Sequence, residues 1–143
     1  MASKIFLNLA VKNQKKSVDF FTQLGFTFNP QFTDEYATCL ITPENIFAML
    51  VIAPRFKNFT KKEICNAHKN TEVFIAIDVD NRDKVDEMVK NAVDAGGSIY
   101  IKPQDHGWMY RHIVLPILTG INGKLCIWMK MQFQYNNYLI CNL

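Results

Sequence analysis

The segment from residue 104 to residue 110 holds the densest group of chemically capable side chains in the sequence. It reads Gln-Asp-His-Gly-Trp-Met-Tyr. The imidazole of His106 could act as a catalytic general base or a hydrogen-bonding group, oriented by the neighbouring Asp105, because imidazoles as a class titrate near neutral pH. Trp108 and Tyr110 would then wall a pocket, and Gly107 would permit close backbone approach. The alternative is a loop whose histidine caps backbone groups while the two aromatic rings fill space. Both interpretations stay open on the sequence.

Three further residues are candidates for ligand binding. Asn8 is a polar residue inside an apolar stretch. Its amide either points into a cleft and binds a ligand or is a hydrogen-bonded amide of the core. Phe6 and Phe74 lie in two similar apolar stretches and could contact an aromatic ligand, although phenylalanines at such spacing also build ordinary cores.

Composition and charge limit the class of protein. The chain has 143 residues, of which 49% are hydrophobic, and a net charge of +3, which indicates a packed globule of one domain's size. The basic residues occur in pairs and not in tracts, so no nucleic-acid partner is expected. No apolar run reaches the roughly 20 residues that span a bilayer, so no membrane partner is expected. The four cysteines lack CxxC spacing and no signal peptide is recognisable, which indicates free thiols and a cytoplasmic location.

A duplicated pattern organises the chain. Residues 5–13, IFLNLAVKN, are echoed by residues 73–81, VFIAIDVDN, and each stretch is followed by a helical pattern that ends at glycine. Repeats of this size indicate two units that share one core. We therefore predict a single domain, 1–143, with module one at 3–53, a linker at 54–70, module two at 71–133 and an atypical tail at 134–143.

Local patterns predict the elements of each module. The first strand, 5–11, alternates so weakly that it is predicted to be buried on both faces. Helical patterns cover 15–24 and 82–95, and a short helix is predicted in the linker at 61–67. Each module therefore has the predicted order β-α-β-β-β.

Four stretches resemble members of the vicinal oxygen chelate superfamily, which includes glyoxalase I, bleomycin-resistance proteins and extradiol dioxygenases. They are FLNLAVK at 6–12, FFTQLGFTFN at 20–29, AGG at 95–97 and PQDHGWMY at 103–110. The similarity is greatest to the predicted lactoylglutathione lyase-like branch. It implies the α+β glyoxalase/bleomycin resistance fold, in which two βαβββ modules form a curled, mixed half-barrel sheet. It also implies a homodimer, because members commonly pair to complete their cavities.

The resemblance stops near His112. Members of the branch usually end with a pattern such as His-Ser-Phe-x-Asp-x-Asp-Gly-His-x-Trp-Glu, which is missing here. If the third base of each codon from Ile113 onward is joined to the next two bases, synonymous codons permit Ser-Phe-Ala-Asp-Pro-Asp-Gly-His-Lys-Trp-Glu. Trp128 followed by Met129 must give Asp in that frame. We hypothesise a frameshift near Ile113; the alternative is an unrelated natural tail. Residues 124–133 are β-prone enough to replace the lost last strand.

The positions that bind metal in the superfamily are apolar in this sequence. A metal-dependent member carries a histidine near the start of the first strand of each module, with carboxylate or glutamine ligands from later strands. The resemblance places those histidine positions at Phe6 and Phe74, and the fourth strand reads FAML at 47–50. We therefore expect no metal and no cofactor, although a divalent metal is the family expectation. Without it, the glyoxalase reaction lacks the charge that stabilises its enediolate.

These observations lead to a hypothesis and a rival. The leading hypothesis is a protein that binds a small organic molecule in an apolar, aromatic-lined cleft. The rival is a lyase or isomerase of the lactoylglutathione lyase type, acting on a glutathione adduct or a related small carbonyl compound. Residues 105 and 106 would carry the chemistry in the rival. The candidate ligand-binding residues in both are Asn8, Phe6, Phe74, Trp108 and Tyr110.

Overall fold

Strands and helices follow the same order twice along the described part of the chain. The computed structural model describes residues 4–42, 46–66, 69–70, 73–115 and 123–130. The strands are β1 (Ile5–Val11), β2 (Thr27–Asn29), β3 (Ala37–Ile41), β4 (Ile46–Ile52), β5 (Val73–Val79), β6 (Ser98–Asp105), β7 (Met109–Leu115) and β8 (Gly123–Lys130). The helices are α1 (Gln14–Gln23), α2 (Ala53–Phe56) and α3 (Arg82–Asp94). Short 3₁₀ turns follow β2, at Pro30–Phe32, and α2, at Lys57–Phe59.

Equivalent residues begin and end α1 and α3. The side chains of Asn13 and Asn81 each accept a hydrogen bond of 2.9 Å from the backbone N–H three residues later, so each satisfies a donor that the helix leaves unpaired. At the other ends, Gly25 and Gly96 have φ angles of 92° and 90°, the left-handed conformation that closes a helix and that glycine adopts most easily. The repeated sequence pattern therefore corresponds to a repeated helix geometry.

Each unit folds into a four-stranded mixed sheet. The strand order is β1-β4-β3-β2 in the first sheet and β5-β8-β7-β6 in the second. In both sheets the outer first strand runs parallel to the fourth, and the remaining neighbours are antiparallel. The predicted α+β fold with two βαβββ modules is confirmed.

One cluster of buried side chains joins the two units. Leu9 and Val11 of β1 pack in it with residues of α1, and Val85 of α3 and Ile127 of β8 belong to the same cluster. Burial of this apolar surface is the main favourable contribution to folding. The two sheets are therefore held by a common core that includes residues of both long helices.

The prediction that β1 is buried on both faces is wrong. Residues 5–8 are exposed, and 50% of Phe6 is accessible to solvent. Burial begins at Leu9, where the shared core reaches the strand. The first half of β1 therefore presents apolar side chains to solvent.

The predicted linker helix lies elsewhere. Residues 61–66, the described part of the predicted segment, are not helical, and the helical turns come earlier, at Ala53–Phe56 and Lys57–Phe59. Pro54 lies in the first turn of α2, where its missing N–H leaves no hydrogen bond broken. The chain therefore turns back directly after β4.

The prediction of a strand at 124–133 agrees with the strand observed at residues 123–130. This segment forms β8, which lies between β5 and β7 in the second sheet. Its register pairs Val73 with Gly123 and Val79 with Met129. The predicted tail, 134–143, lies outside the described residues.

Candidate functional site

A pocket lies on the face of the first sheet that points away from the shared core, which we term the open face. Side chains alternate along a strand, so Asn8 and Met49 face away from the core residues Leu9 and Leu50. The two residues are register partners across β1 and β4. The pocket has a volume of about 320 Å³, near the lower end of the range of small-molecule sites, about 300–1,000 Å³. It is lined by Asn8, Gln31, Phe32, Thr33, Asp34, Ala37, Met49, Val51, Arg55 and Phe59.

One wall of the pocket is a hydrogen-bonded loop between β2 and β3. The side chain of Asn29 accepts a hydrogen bond from the N–H of Gln31 at 2.9 Å, and the Thr33 hydroxyl donates to the carbonyl of Asn29 at 2.8 Å. Asp34 Oδ1 accepts hydrogen bonds of 2.8 Å from the backbone N–H groups of residues 36 and 37. These two bonds, with a smaller contribution from Arg55, hold the pKa of the Asp34 carboxyl below its ordinary value. The loop therefore places a fixed carboxylate and the exposed ring of Phe32 at the pocket rim.

A second part of the lining comes from α2 and the turn after it, through Arg55 and Phe59. The guanidinium of Arg55 lies over the ring of Tyr36, 5.9 Å from the ring centroid, a cation–π contact that helps to fix its position. Among the described residues, no carboxylate lies within ion-pair distance of Arg55. The ring of Phe59 is 63% exposed and lines the same pocket. The guanidinium of Arg55, which is bonded to no acceptor among the described residues, thus lines the same pocket as an exposed aromatic ring.

Asn8 is the polar residue on the sheet floor of the pocket. Its side chain is exposed and makes no hydrogen bond to any residue that the structure describes. The apolar Met49 is its partner on the adjacent strand. The amide therefore has its donors and its acceptor available to a ligand.

The open face of the first sheet has no donor set that suits a divalent metal. At the position where the resemblance expects a histidine, the ring of Phe6 stacks on that of Phe47, with centroids 4.9 Å apart. Phe74 occupies the equivalent position in β5, with Lys124 as its register partner. No group of three or more His, Cys, Asp or Glu side chains able to hold a metal occurs within the described ranges. Because phenyl rings offer no lone pairs for coordination, these residues do not fit the metal of the superfamily.

The segment 105–109 forms the turn between β6 and β7. The Asp105 carboxylate binds the guanidinium of Arg82 at the start of α3 and accepts a hydrogen bond of 2.9 Å from the N–H of Gly107. These two contacts lower the pKa of Asp105, the Gly107 hydrogen bond contributing most. The His106 ring lies 6.4 Å from that of Trp108, centroid to centroid, and both residues are exposed. The described hydrogen bonds of Asp105 therefore stabilise the turn, and none of them orients the imidazole of His106.

A polar cluster with a buried histidine lies between β7 and α3. The Tyr110 hydroxyl donates to Asp86 Oδ1 at 2.8 Å, and His112 Nε2 is 3.3 Å from the same oxygen. Only 6% of His112 is exposed, and its buried Nδ1 has no partner among the described residues. Burial lowers the pKa of His112 against the opposing effect of Asp86. Burial, followed by the hydrogen bond to Asp86, raises the pKa of Tyr110.

The structure brings the candidate residues together in two groups. Asn8 lines the pocket, and Phe6 lies on the same face of β1, two residues earlier. Asp105, His106, Trp108 and Tyr110 share the β6–β7 hairpin, and none of them lines the pocket. Phe74 is 48% exposed on β5. The two groups do not meet in the described pocket.

Several pocket residues were missed by the sequence-based prediction. They lie in the polar stretches 31–34 and 54–59, where charged residues resemble an ordinary solvated surface. One signal was available, because Phe56 and Phe59 recur at a helical spacing inside a segment that was predicted to be a polar linker. An aromatic pair at helical spacing in a polar stretch indicates a short helical segment that packs against the rest of the protein.

Comparison with protein families identifies relatives along most of the chain. The family model described as the Glyoxalase/Bleomycin resistance protein/Dioxygenase superfamily matches residues 5–119. None of the curated protein sequences compared with the chain matches it. No helix in the described ranges is both long and apolar enough to cross a membrane.

Solved structures of other proteins share this architecture. A hypothetical protein from S. aureus is 22% identical with a TM-score of 0.76, and the match covers 90% of this chain and 95% of that one. A glyoxalase/bleomycin resistance protein/dioxygenase family enzyme from Burkholderia phytofirmans PsJN is 17% identical with a TM-score of 0.74, covering 91% and 100%. A glyoxalase-related enzyme from Fulvimarina pelagi is 12% identical with a TM-score of 0.75, covering 91% and 89%. At such identities these likenesses show the fold alone.

Proposed function

The chain belongs to the glyoxalase/bleomycin resistance protein/dioxygenase superfamily, and we propose that it binds a small organic molecule in the pocket on the open face of the first sheet. The observation that carries this proposal is the composition of the pocket. An apolar floor formed by Met49 and Val51 combines with the unpaired amide of Asn8 and the guanidinium of Arg55. Small-molecule sites have this character, with mostly apolar walls and a few polar groups that orient the ligand.

The proposed binding does not use the divalent metal of the superfamily. Phe6, whose ring stacks on that of Phe47, lies in the first sheet where the resemblance expects a metal-binding histidine. Phe74 takes the equivalent place in the second. The proposal therefore assigns no step to a metal-stabilised intermediate.

The experiment for the proposed function is a binding titration with a neutral aromatic probe, 2-naphthamide, followed by calorimetry. We expect saturable binding at one site per chain. Ala37→Phe, which adds a ring to the pocket lining, should remove binding. Ala76→Phe is the matched control, because Ala76 is exposed on β5 of the second sheet. Equal binding by both variants, or no binding by the unmodified protein, would contradict the proposed site.

A second candidate function is a lyase or isomerase of the lactoylglutathione lyase type. The exposed imidazole of His106 beside Trp108 favours it, as does the resemblance of residues 103–110 to that branch. The test is turnover of the hemithioacetal of methylglyoxal and glutathione by the unmodified protein and by His106→Ala. Turnover that the substitution abolishes supports the enzyme, and absence of turnover with retained probe binding supports a binding protein.

We also propose that the protein is a cytoplasmic homodimer. Exposed apolar side chains on the outer strands β1 and β5 support the dimer, among them Ile5 (55% exposed) and Phe74 (48%). A second copy that covered them would remove apolar surface from water. Light scattering coupled to size-exclusion chromatography should give twice the chain mass of 16.5 kDa, and a monomeric mass at micromolar concentration would contradict the proposal.

The last part of the proposal concerns the origin of β8. We propose that a frameshift near Ile113 replaced the ending of the lactoylglutathione lyase-like branch, and that the new sequence supplied a substitute strand. The family match ends at residue 119, before β8 begins at Gly123, which supports this origin. Resequencing the codons for residues 110–133 tests it. One inserted or deleted base that restores Asp-Gly-His-Lys-Trp-Glu supports the frameshift, and an intact frame shared with close relatives refutes it.

A further inference from the structure

The pocket carries a positive charge that no carboxylate in the described structure pairs with. The guanidinium of Arg55 lies over the face of Tyr36, and its N–H groups donate no hydrogen bond to any residue that the structure describes. The nearby ammonium of Lys57, in contrast, is paired and lies 2.6 Å from the carboxylate of Glu63. Arg55 is thus the charged group of the lining that is available to a ligand.

The one carboxylate of the lining is committed to the backbone. Asp34 Oδ1 accepts two backbone N–H bonds of 2.8 Å, and charge-assisted bonds of this kind stabilise the ionised form and offset part of its charge. The positive charge of Arg55 contributes to the lowered pKa of Asp34, but the two side chains are not within ion-pair distance. Asp34 therefore lines the pocket without forming an ion pair with the guanidinium.

A second cation lies at the other end of the open face. The ammonium of Lys4 lies 5.8 Å from the centroid of the Phe47 ring, next to the stacked pair that Phe47 forms with Phe6. The apolar floor therefore has a cation near each end. This distribution of charge favours a ligand of negative charge.

The volume and the apolar lining of the pocket limit the size and the chemistry of the uncharged part of the ligand. A volume of about 320 Å³ suits a compact molecule, and the rings of Phe32 and Phe59 are 57% and 63% exposed at its edge. Aromatic rings interact favourably with other flat rings beyond the area that they bury. The amide of Asn8 adds one polar anchor on the floor.

We infer that the pocket recognises a small aromatic carboxylate, whose carboxylate group binds Arg55 and whose ring lies against Met49 and Phe59. This inference rests on the proposed function and specifies its ligand class. The planar guanidinium matches a carboxylate through two parallel hydrogen bonds. The Asn8 amide then binds a substituent on the ring or one carboxylate oxygen.

The test compares two probes of nearly the same shape, 2-naphthoate and the neutral 2-naphthamide, by calorimetry at low salt. We expect 2-naphthoate to bind roughly tenfold more tightly, the difference that one charge-assisted hydrogen-bonded contact provides. Arg55→Gln should weaken the binding of 2-naphthoate much more than that of 2-naphthamide and so remove this preference, whereas Arg55→Lys should retain part of it. Lys57→Gln is the matched control, because it removes a cation from the same short segment and should leave the preference intact.

The outcomes separate the inference from the proposed function. Equal affinity for both probes, or a preference that survives Arg55→Gln, overturns the carboxylate assignment and leaves small-molecule binding standing. Failure of both probes to bind overturns the proposed site together with the inference. An unchanged melting temperature for Arg55→Gln shows that the variant is folded.

Discussion

The ring of Phe6 lies parallel to the ring of Phe47 on the adjacent strand, with an interplanar angle of 17° and centroids 4.9 Å apart. The two residues are direct register partners in the parallel pair β1 and β4. Phe6 is the residue at which the resemblance expects a metal-binding histidine, and the structure shows it in an aromatic packing contact.

The stack predicts an energetic coupling between these two residues. In a double-mutant cycle with Phe6→Leu and Phe47→Leu, the pair should be coupled by about 0.5–1.5 kcal/mol, because stacked rings stabilise each other beyond their buried area. Urea denaturation of the four proteins measures the coupling. Strictly additive losses in the free energy of unfolding would show that the contact is incidental.

Restoring one histidine should not restore a metal site. Phe6→His introduces one donor, but a stable site for a divalent transition metal needs at least three protein ligands, and Phe47 and Phe74 remain apolar. After dialysis against zinc or nickel and gel filtration, elemental analysis should find much less than one metal ion per chain in both the unmodified protein and the variant. Stoichiometric metal in the unmodified protein would mean that the donor set lies elsewhere.

The buried histidine predicts a dependence of stability on pH. Burial holds the pKa of His112 in the folded state below its ordinary value of 6.5, so the unfolded chain takes up this proton more readily than the folded chain. The neutral form of His112 therefore makes its full contribution to the free energy of unfolding above pH 6.5, and this contribution declines as the pH falls below that value. The difference in unfolding free energy between pH 7.5 and pH 5.5 should be smaller in His112→Gln than in the unmodified protein.

His106→Gln is the matched control for that measurement, because His106 is exposed in the β6–β7 turn. It should keep the pH dependence of the unmodified protein. The assignment to His112 fails if the two variants change the pH dependence to the same extent.

The β6–β7 turn should depend on the conformational freedom of Gly107. Its φ angle is 76°, and apart from Gly107 itself and its two chain neighbours no described atom lies within 4 Å of the place that a Cβ would take. Gly107→Ala should therefore cost about 1–2 kcal/mol from backbone conformation alone, and Gly107→Asn should cost less because asparagine tolerates this conformation better. Thermal denaturation checks the order of the two variants, and an alanine variant as stable as the unmodified protein would contradict it.

Local signals explain why the order of elements could be predicted. Asn13 and Asn81 cap helices through bonds to the third residue that follows, and Gly25 and Gly96 close them, so these signals lie within a few residues of the positions that they control. The burial of β1 could not be predicted in the same way. Whether the first half of a strand is covered depends on distant segments, and here the core reaches it only from Leu9.

The candidate site was predictable only where a local sequence signal marks a residue. Asn8 was singled out because a polar side chain stands out within an apolar strand, and the structure places it on the pocket floor. Arg55 and Asp34 were missed because each lies among other polar residues. They line one pocket because α2 lies beside the loop after β2, and no local sequence pattern encodes that approach.

The position of β8 also sets an order for assembly during synthesis. The first sheet has all four of its strands once Ile52 has left the ribosome, and it can close while the rest of the chain is still being made. In the second sheet, β7 can pair with β6 as soon as both have emerged, but the one sheet neighbour of β5 is β8, so β5 has no partner until about residue 130 has emerged. Until then the apolar strand β5 has an unpaired edge, and the nascent chain is most exposed to wrong associations in this interval. A chain truncated before Gly123 should consequently keep its first sheet and need chaperone protection for its second.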